Sequence, residues 1–184
     1  MDKERKQMHQ QKSPSELLVR HFPLFEQLPA GQVLDLACGY GRNGLALAKR
    51  GLAVCFADRN AEALSSVSEQ TTQQQLMGEC WQQDFEGSDN PLAERKFAAI
   101  LVFNYLHRPL LPQLVEALLP GGVLIYETFL TQQAQLGRPS NPDFLLKPGE
   151  LADTFHQLEP IHYSEGLRQN PERYTAQLVA RKRQ

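Results

Sequence analysis

The sequence predicts an α/β fold: a doubly wound, mostly parallel sheet closed by an antiparallel hairpin at its C-terminal edge. Three observations carry that prediction. Val33 to Cys38 is a short apolar run that bends at Gly39, Gly41 and Gly44 and resumes with helical periodicity through Leu45 to Ala48, which reads as strand, glycine turn and helix. Phe97 to Phe103 is continuously apolar, the pattern of a strand buried on both faces in the middle of a parallel sheet. Tyr174, Ala176, Leu178 and Ala180 fall on every second position, as in a hairpin strand on a sheet edge.

The elements follow in order. Residues 1–12 are rich in Lys, Arg and Gln and are predicted to be a mobile polar tail, leaving 13–184 as a single domain. Ser13-Pro14-Ser15-Glu16 opens a helix whose apolar positions include Leu17, Leu18 and Phe22, interrupted by Pro23. Strand one covers 32–38 and its helix 42–50, which Gly51 stops with Lys49 and Arg50 in the last turn, where cations are favoured. Strand two covers 53–58. Asn60 caps the next helix, with Gln70 to Gln75 as its solvated end. Strand three covers 76–83 and strand four 97–104. A helix over 110–119 ends at Pro120-Gly121-Gly122, and strand five covers 123–129. The connection 130–148 holds Gly137 and three prolines; its length and its place after strand five predict a substrate lid or pocket wall. A helix over 149–158 and strands at 161–164 and 174–180 complete the chain.

Composition narrows the function. The chain has 184 residues, a formal net charge of -2 and 41% hydrophobic residues, so no strong field for nucleic acid or membranes is expected. No apolar run approaches the length of a membrane span, and the polar N-terminus lacks a signal region, which predicts a cytoplasmic protein. Cys38, Cys55 and Cys80 form no C-x-x-C pair and read as reduced, mostly buried thiols, with no metal site.

The glycine turn carries the chemistry. Backbone N–H groups opening a helix are unpaired and favour polar or anionic ligand groups, and glycine lets a ligand approach without a Cβ in the way. Asp58 ends strand two about 20 residues beyond the first glycine, where nucleotide-binding βαβ units place their ribose acceptor. Asp35 lies inside strand one, where an ionised carboxylate is costly unless a cationic ligand group partners it.

The run Leu34-Asp35-Leu36-Ala37-Cys38-Gly39-Tyr40-Gly41 resembles motif I of the class I S-adenosylmethionine (SAM) methyltransferases. Gly41-Arg42-Asn43 and Asp58-Arg59-Asn60 look most like the tellurite-resistance and thiopurine branch, which acts on small molecules. The resemblance is specific over positions 31–64 and looser beyond. It implies the Rossmann-like class I methyltransferase fold, SAM as cofactor and S-adenosylhomocysteine as product. It also implies a cofactor site built from Asp35, Ala37, Cys38, Gly39, Gly41, Arg42, Asn43, Asp58 and Arg59. By the same resemblance Asp84 accepts from the adenine amino group, and the Phe85 backbone N–H meets a ring nitrogen. An N-terminal helix covering the pocket, Leu-Pro-Gly-Gly before strand five and a closing antiparallel strand also match the family.

Ligands of such sheets bind beyond the carboxyl ends of the strands, which sets Asn104, Tyr105, His107 and Arg108 beside the methyl donor. Asn104 is assigned to the cofactor. His107 is the candidate general base, although a histidine there also fits a simple cap. Tyr105 either shapes the catalytic pocket or packs; Arg108 binds an anionic substrate group or solvates a helix start; Glu127 is an internal acceptor or a substrate contact. Methyltransferases of base nitrogens and of protein glutamine often carry N-P-P-Y after strand four, and Asn104-Tyr105-Leu106-His107 keeps only the asparagine. The expected acceptor is therefore a small molecule and not nucleic acid. An NAD-dependent oxidoreductase shares the glycines and Asp58, and a non-catalytic SAM-fold module shares the whole motif; both stand as alternative readings.

Overall fold

A computed structural model describes residues 13–87 and 90–184 of the chain; the tail expected over 1–12 lies outside the described residues. The strands are β1 (Val33–Leu36), β2 (Val54–Asp58), β3 (Gly78–Gln82), β4 (Phe97–Phe103), β5 (Leu118–Phe129), β6 (Glu159–Arg168) and β7 (Arg173–Arg181). The helices are α1 (Glu16–Arg20), α2 (Arg42–Ala48), α3 (Ala61–Gln73), α4 (Leu111–Ala117) and α5 (Glu150–Thr154). One sheet holds all seven strands in the order β3-β2-β1-β4-β5-β7-β6. Pairing is parallel from β3 through β5, while β7 runs antiparallel to both β5 and β6. The strand order reverses between β1 and β4, and in open α/β sheets the crevice beyond the strand ends at such a reversal is the ligand site.

Period-two alternation divides the core between the two faces of the sheet. Leu34, Leu36, Ile100, Val102 and Tyr126 pack with Leu111 and Leu114 of α4 and Leu151 of α5. Val33, Phe56, Leu101 and Ile125 pack on the opposite face with Leu17 and Leu18 of α1, Leu47 of α2 and Val67 of α3. Asp35 shares its parity with Val33 and therefore faces α2. The predicted N-terminal helix is present: the Ser15 hydroxyl caps it by accepting from the Leu17 N–H, and Pro23 begins a 3-10 turn over Phe22–Gln27.

Four boundaries differ from the sequence expectation. Helix α4 stops at Ala117, and Leu118 already pairs with Phe97, so Pro120-Gly121-Gly122 lies within β5. A register shift between Phe97 and Ala99 accommodates these residues, and Gly122 is needed there because a Cβ would approach the Ala98 carbonyl oxygen to 2.9 Å. Strand β6 runs ten residues instead of the four expected at 161–164, because as an edge strand it needs no continuous apolar signal. Helix α5 ends at Thr154. Cys80 is exposed, and not buried as expected, because β3 is the opposite edge and alternates exposed with half-covered residues.

Candidate active site

Beyond the carboxyl ends of β1, β2 and β4 lies a cleft of about 330 Å³. Ala37 and Asp58 line it from the first two strand ends, Asp84 and Phe85 from the turn after β3, and Asn104 and Tyr105 from the turn after β4. Ala37 and Asn104 both adopt left-handed backbone, with φ of 52° and 56°, so each of these two strands turns away sharply at the cleft rim.

The glycine turn is shaped by close contacts beneath it. Gly39 and Gly41 have φ of 54° and 74°, a region that glycine enters without steric cost. Gly41 serves as the N-cap of α2, with no side chain in the capping position. Gly44 is helical, and its role is spatial: a Cβ would lie 2.5 Å from the Phe56 ring and 2.7 Å from Oδ2 of Asp35. Gly44→Ala, a change that normally favours a helix by about 0.5–1 kcal/mol, is expected here to cost about 1–3 kcal/mol through overpacking. Urea unfolding measures it, and a gain in stability would mean that Phe56 has room to withdraw.

Two carboxylates hold this turn. Asp58 accepts from the Gly39 N–H at 2.7 Å through one oxygen and from the Asn60 N–H at 2.8 Å through the other. It thereby ties the glycine loop to the end of β2, while each oxygen keeps a lone pair for a ligand hydroxyl. Asp35 is 3% exposed and accepts from the Gly44 N–H at 2.8 Å. Burial raises its pKa to about 7, against the lowering effects of the Gly44 bond and the Arg42 charge and with a small push from Asp58. A buried carboxyl so poised beneath the glycine turn favours a cationic ligand group if one approaches.

Residues 33–122 match the methyltransferase domain family. TehB from Haemophilus influenzae superposes with a TM-score of 0.72 at 21% identity, covering 89% of this chain; the chain spans 62% of TehB's length. A SAM-dependent methyltransferase from Clostridium acetobutylicum gives a TM-score of 0.70 at 15% identity over 91% of this chain and 90% of its own. The magnesium protoporphyrin IX methyltransferase of Synechocystis, crystallised with S-adenosylhomocysteine bound, gives 0.68 at 16% identity over 90% and 80%. No curated protein matches the chain by sequence. The chain shares the fold of these methyltransferases, and its residues 33–122 are similar to a methyltransferase domain. The expectation of fold is thereby met.

Not every anticipated site residue lines the cleft. Asp58, Arg59, Asp84, Phe85, Ala37, Asn104 and Tyr105 do; Asp35, Cys38, Gly39, Gly41 and His107 are not among its lining residues. Arg42 and Asn43 point the other way. Arg42 donates to the Ser13 carbonyl at 3.3 Å, and buried Asn43 accepts from the Ser15 N–H at 2.8 Å, fastening the segment before α1 to the start of α2. Cys38 donates to the Gly39 carbonyl, and burial raises its pKa above the normal thiol range, so it stays protonated. Tyr105 is likewise held as a neutral phenol, chiefly by burial and then by the nearby Glu86 and Asp84 carboxylates. It is a shape and hydrogen-bonding element and not a base at neutral pH.

Sequence reading missed the residues that hold this rim. The Tyr126 hydroxyl donates to the Tyr105 carbonyl at 2.9 Å and so fixes the turn after β4. Arg108, considered for an anionic substrate, is committed elsewhere: it pairs with Glu150 at 2.6 Å and donates to the Asp143 and Leu145 carbonyls. That clamp sets the carbonyls on either side of Phe144, which lines the cleft together with Phe129 and Pro139. The segment after β5 is thus a wall of the pocket.

Proposed function

We propose that this protein transfers a methyl group from SAM to a small-molecule acceptor bound between the cleft and the wall formed by Phe129, Pro139 and Phe144. The observation that carries the reading is the arrangement of three carboxylates: Asp35 and Asp58 each hold a backbone N–H of the glycine turn, and Asp58 and Asp84 line the cleft beyond it. When bound, SAM supplies a methyl group on a sulfonium, which leaves readily. The protein's part is therefore alignment and exclusion of water. Asp58 would orient the ribose hydroxyls, Asp84 and the Phe85 N–H the adenine, and Asp35 would favour the cationic methionine end. Asn104 and Tyr105 would border the transfer site. Gly41-Arg42-Asn43 and the likeness to TehB support placement near the tellurite-resistance branch, and the missing N-P-P-Y sequence and the net charge of -2 support a small acceptor.

The test is calorimetry with SAM, S-adenosylhomocysteine, NAD and NADP on wild type and on Asp58→Ala. Only the adenosylated sulfur compounds are expected to bind. The variant is expected to lose about 1–3 kcal/mol of their affinity through charge-assisted hydrogen bonds. Binding of a nicotinamide cofactor instead would return the oxidoreductase reading, and an unchanged dissociation constant in the variant would remove Asp58 from the ribose site.

A further inference from the structure

A second cleft of about 410 Å³ opens beside the first, between the segment preceding α1, the start of α2 and the β6–β7 hairpin. Its charged lining consists of Arg20, Arg42, Arg168 and Arg173 against Glu16 and Glu127, an excess of cations. Glu127 is 2% exposed: Arg173 pairs with it at 3.1 Å and the Gln177 amide donates to it at 3.0 Å. It offsets Arg173 most directly and acts on Arg42 through its charge, so the cations of this cleft still outnumber its acids. Arg42 registers this crowding, since its pKa is lowered by burial and then by the charge of Arg173. Among the described residues, the Nε–H donors of Arg168 and Arg173 are buried and have no hydrogen-bond partner. An unmade bond of this kind is costly, and an oxyanion, an acceptor with several lone pairs, makes it good.

Residues of the two clefts are linked through the backbone: the Asn104 N–H of the first donates to the carbonyl of Glu127 of the second at 2.9 Å, and Ala37 and Arg42 stand at the two ends of the same glycine turn. Resting on the methyltransferase reading, we infer that the second cleft is an oxyanion subsite, selecting an acceptor that bears a carboxylate or a phosphate away from its attacking atom, the anion held by Arg168 and Arg173 with Arg42 alongside.

The test titrates protein saturated with S-adenosylhomocysteine with malonate, inorganic phosphate and neutral malonamide. Malonate or phosphate is expected to bind and malonamide not, and the stronger of the two names the oxyanion. Arg168→Gln is expected to weaken that binding about fivefold or more and to leave the S-adenosylhomocysteine affinity within about twofold. Arg20→Gln, at an exposed position, gives a smaller loss of the same sign and serves if Arg168→Gln does not fold. No binding of either anion to the loaded protein overturns the inference. So does competition of the anions with S-adenosylhomocysteine, or an Arg168→Gln variant that loses affinity for it but not for 5′-methylthioadenosine; the cleft would then hold the cofactor's own carboxylate. Failure of S-adenosylhomocysteine to bind wild type would overturn the methyltransferase reading, and this inference with it. Loaded protein that ignores the anions overturns this inference alone.

Discussion

Glu127→Ala is expected to remove about 3 kcal/mol of folding stability, the low end of what breaking a buried ion pair costs. The glutamate is 2% exposed on β5, between Arg173 at 3.1 Å and the Gln177 amide at 3.0 Å, with the Ser15 hydroxyl at 3.4 Å. Among the described residues, alanine deletes the acid that pairs with Arg173, leaving a guanidinium with 24% of its side chain exposed to be solvated. That residual exposure places the expectation at the low end. Glu127→Gln keeps the acceptor for Arg173 and Ser15 and loses only the charge, so its cost is expected to be about 1–2 kcal/mol. Replacing both partners by leucine is expected to recover much of the loss, because the penalty lies in the orphaned charge and not in a missing attraction. Urea midpoints at constant slope distinguish these cases. A loss below about 0.5 kcal/mol in Glu127→Ala would show that the pair behaves as a surface salt bridge.

The fold was legible because it is written in short-range patterns. Phe97–Phe103 is a continuous apolar run and Val33–Leu36 one interrupted only by Asp35, the trace that a strand covered on both faces leaves in a sequence. The glycines at 39, 41 and 44 could be read as a turn, but Gly44 hides its reason: only the structure shows Phe56 and Asp35 pressed against its Cα. The edges were less legible. Strand β6 carries His162, Ser164, Gly166 and Arg168 among its apolar residues, and its pairing with β7 is set by the hairpin and not by burial. Pro120 and the two following glycines look like a helix stop, and they do follow the helix, yet the strand has begun before them.

The candidate site divided in the same way. Asp58 could be located by spacing because it ends a strand, and Asp84 and Phe85 by the family resemblance that points to the turn after β3; all three line the cleft. Arg42 and Asn43 share the motif but serve the segment preceding α1, a contact over 28 positions between Ser15 and Asn43 that no local pattern encodes. Arg173, Tyr126 and the Arg108–Glu150 clamp were invisible for the same reason: each acts on a partner distant in the chain. His107, two positions past the lining Tyr105, is not itself among the lining residues.

Cofactor affinity is expected to depend on pH through Asp35. In the empty protein burial holds its pKa at about 7, above the unfolded value near 3.8. The folded state therefore binds the extra proton between those limits, and stability falls as pH rises through that window, by on the order of 4 kcal/mol across it. A cationic ligand group reverses the preference by favouring the carboxylate. Binding of SAM at pH 6 is accordingly expected to release close to one proton, and its apparent affinity to weaken about tenfold per pH unit from 7 down to 5. Calorimetry at pH 6 in two buffers of different ionisation enthalpy counts that proton directly. Asp35→Asn keeps an acceptor for the Gly44 N–H without the charge. It is expected to stabilise the empty protein at pH 8 by about 2 kcal/mol or more while abolishing the pH dependence of binding and weakening it by about 1–3 kcal/mol. The opposing signs are diagnostic, since a carboxyl kept only for packing would not trade stability for affinity. A proton count of zero at pH 6, or an Asp35→Asn variant that binds as well as wild type, would show that this carboxyl never meets the cofactor's charge.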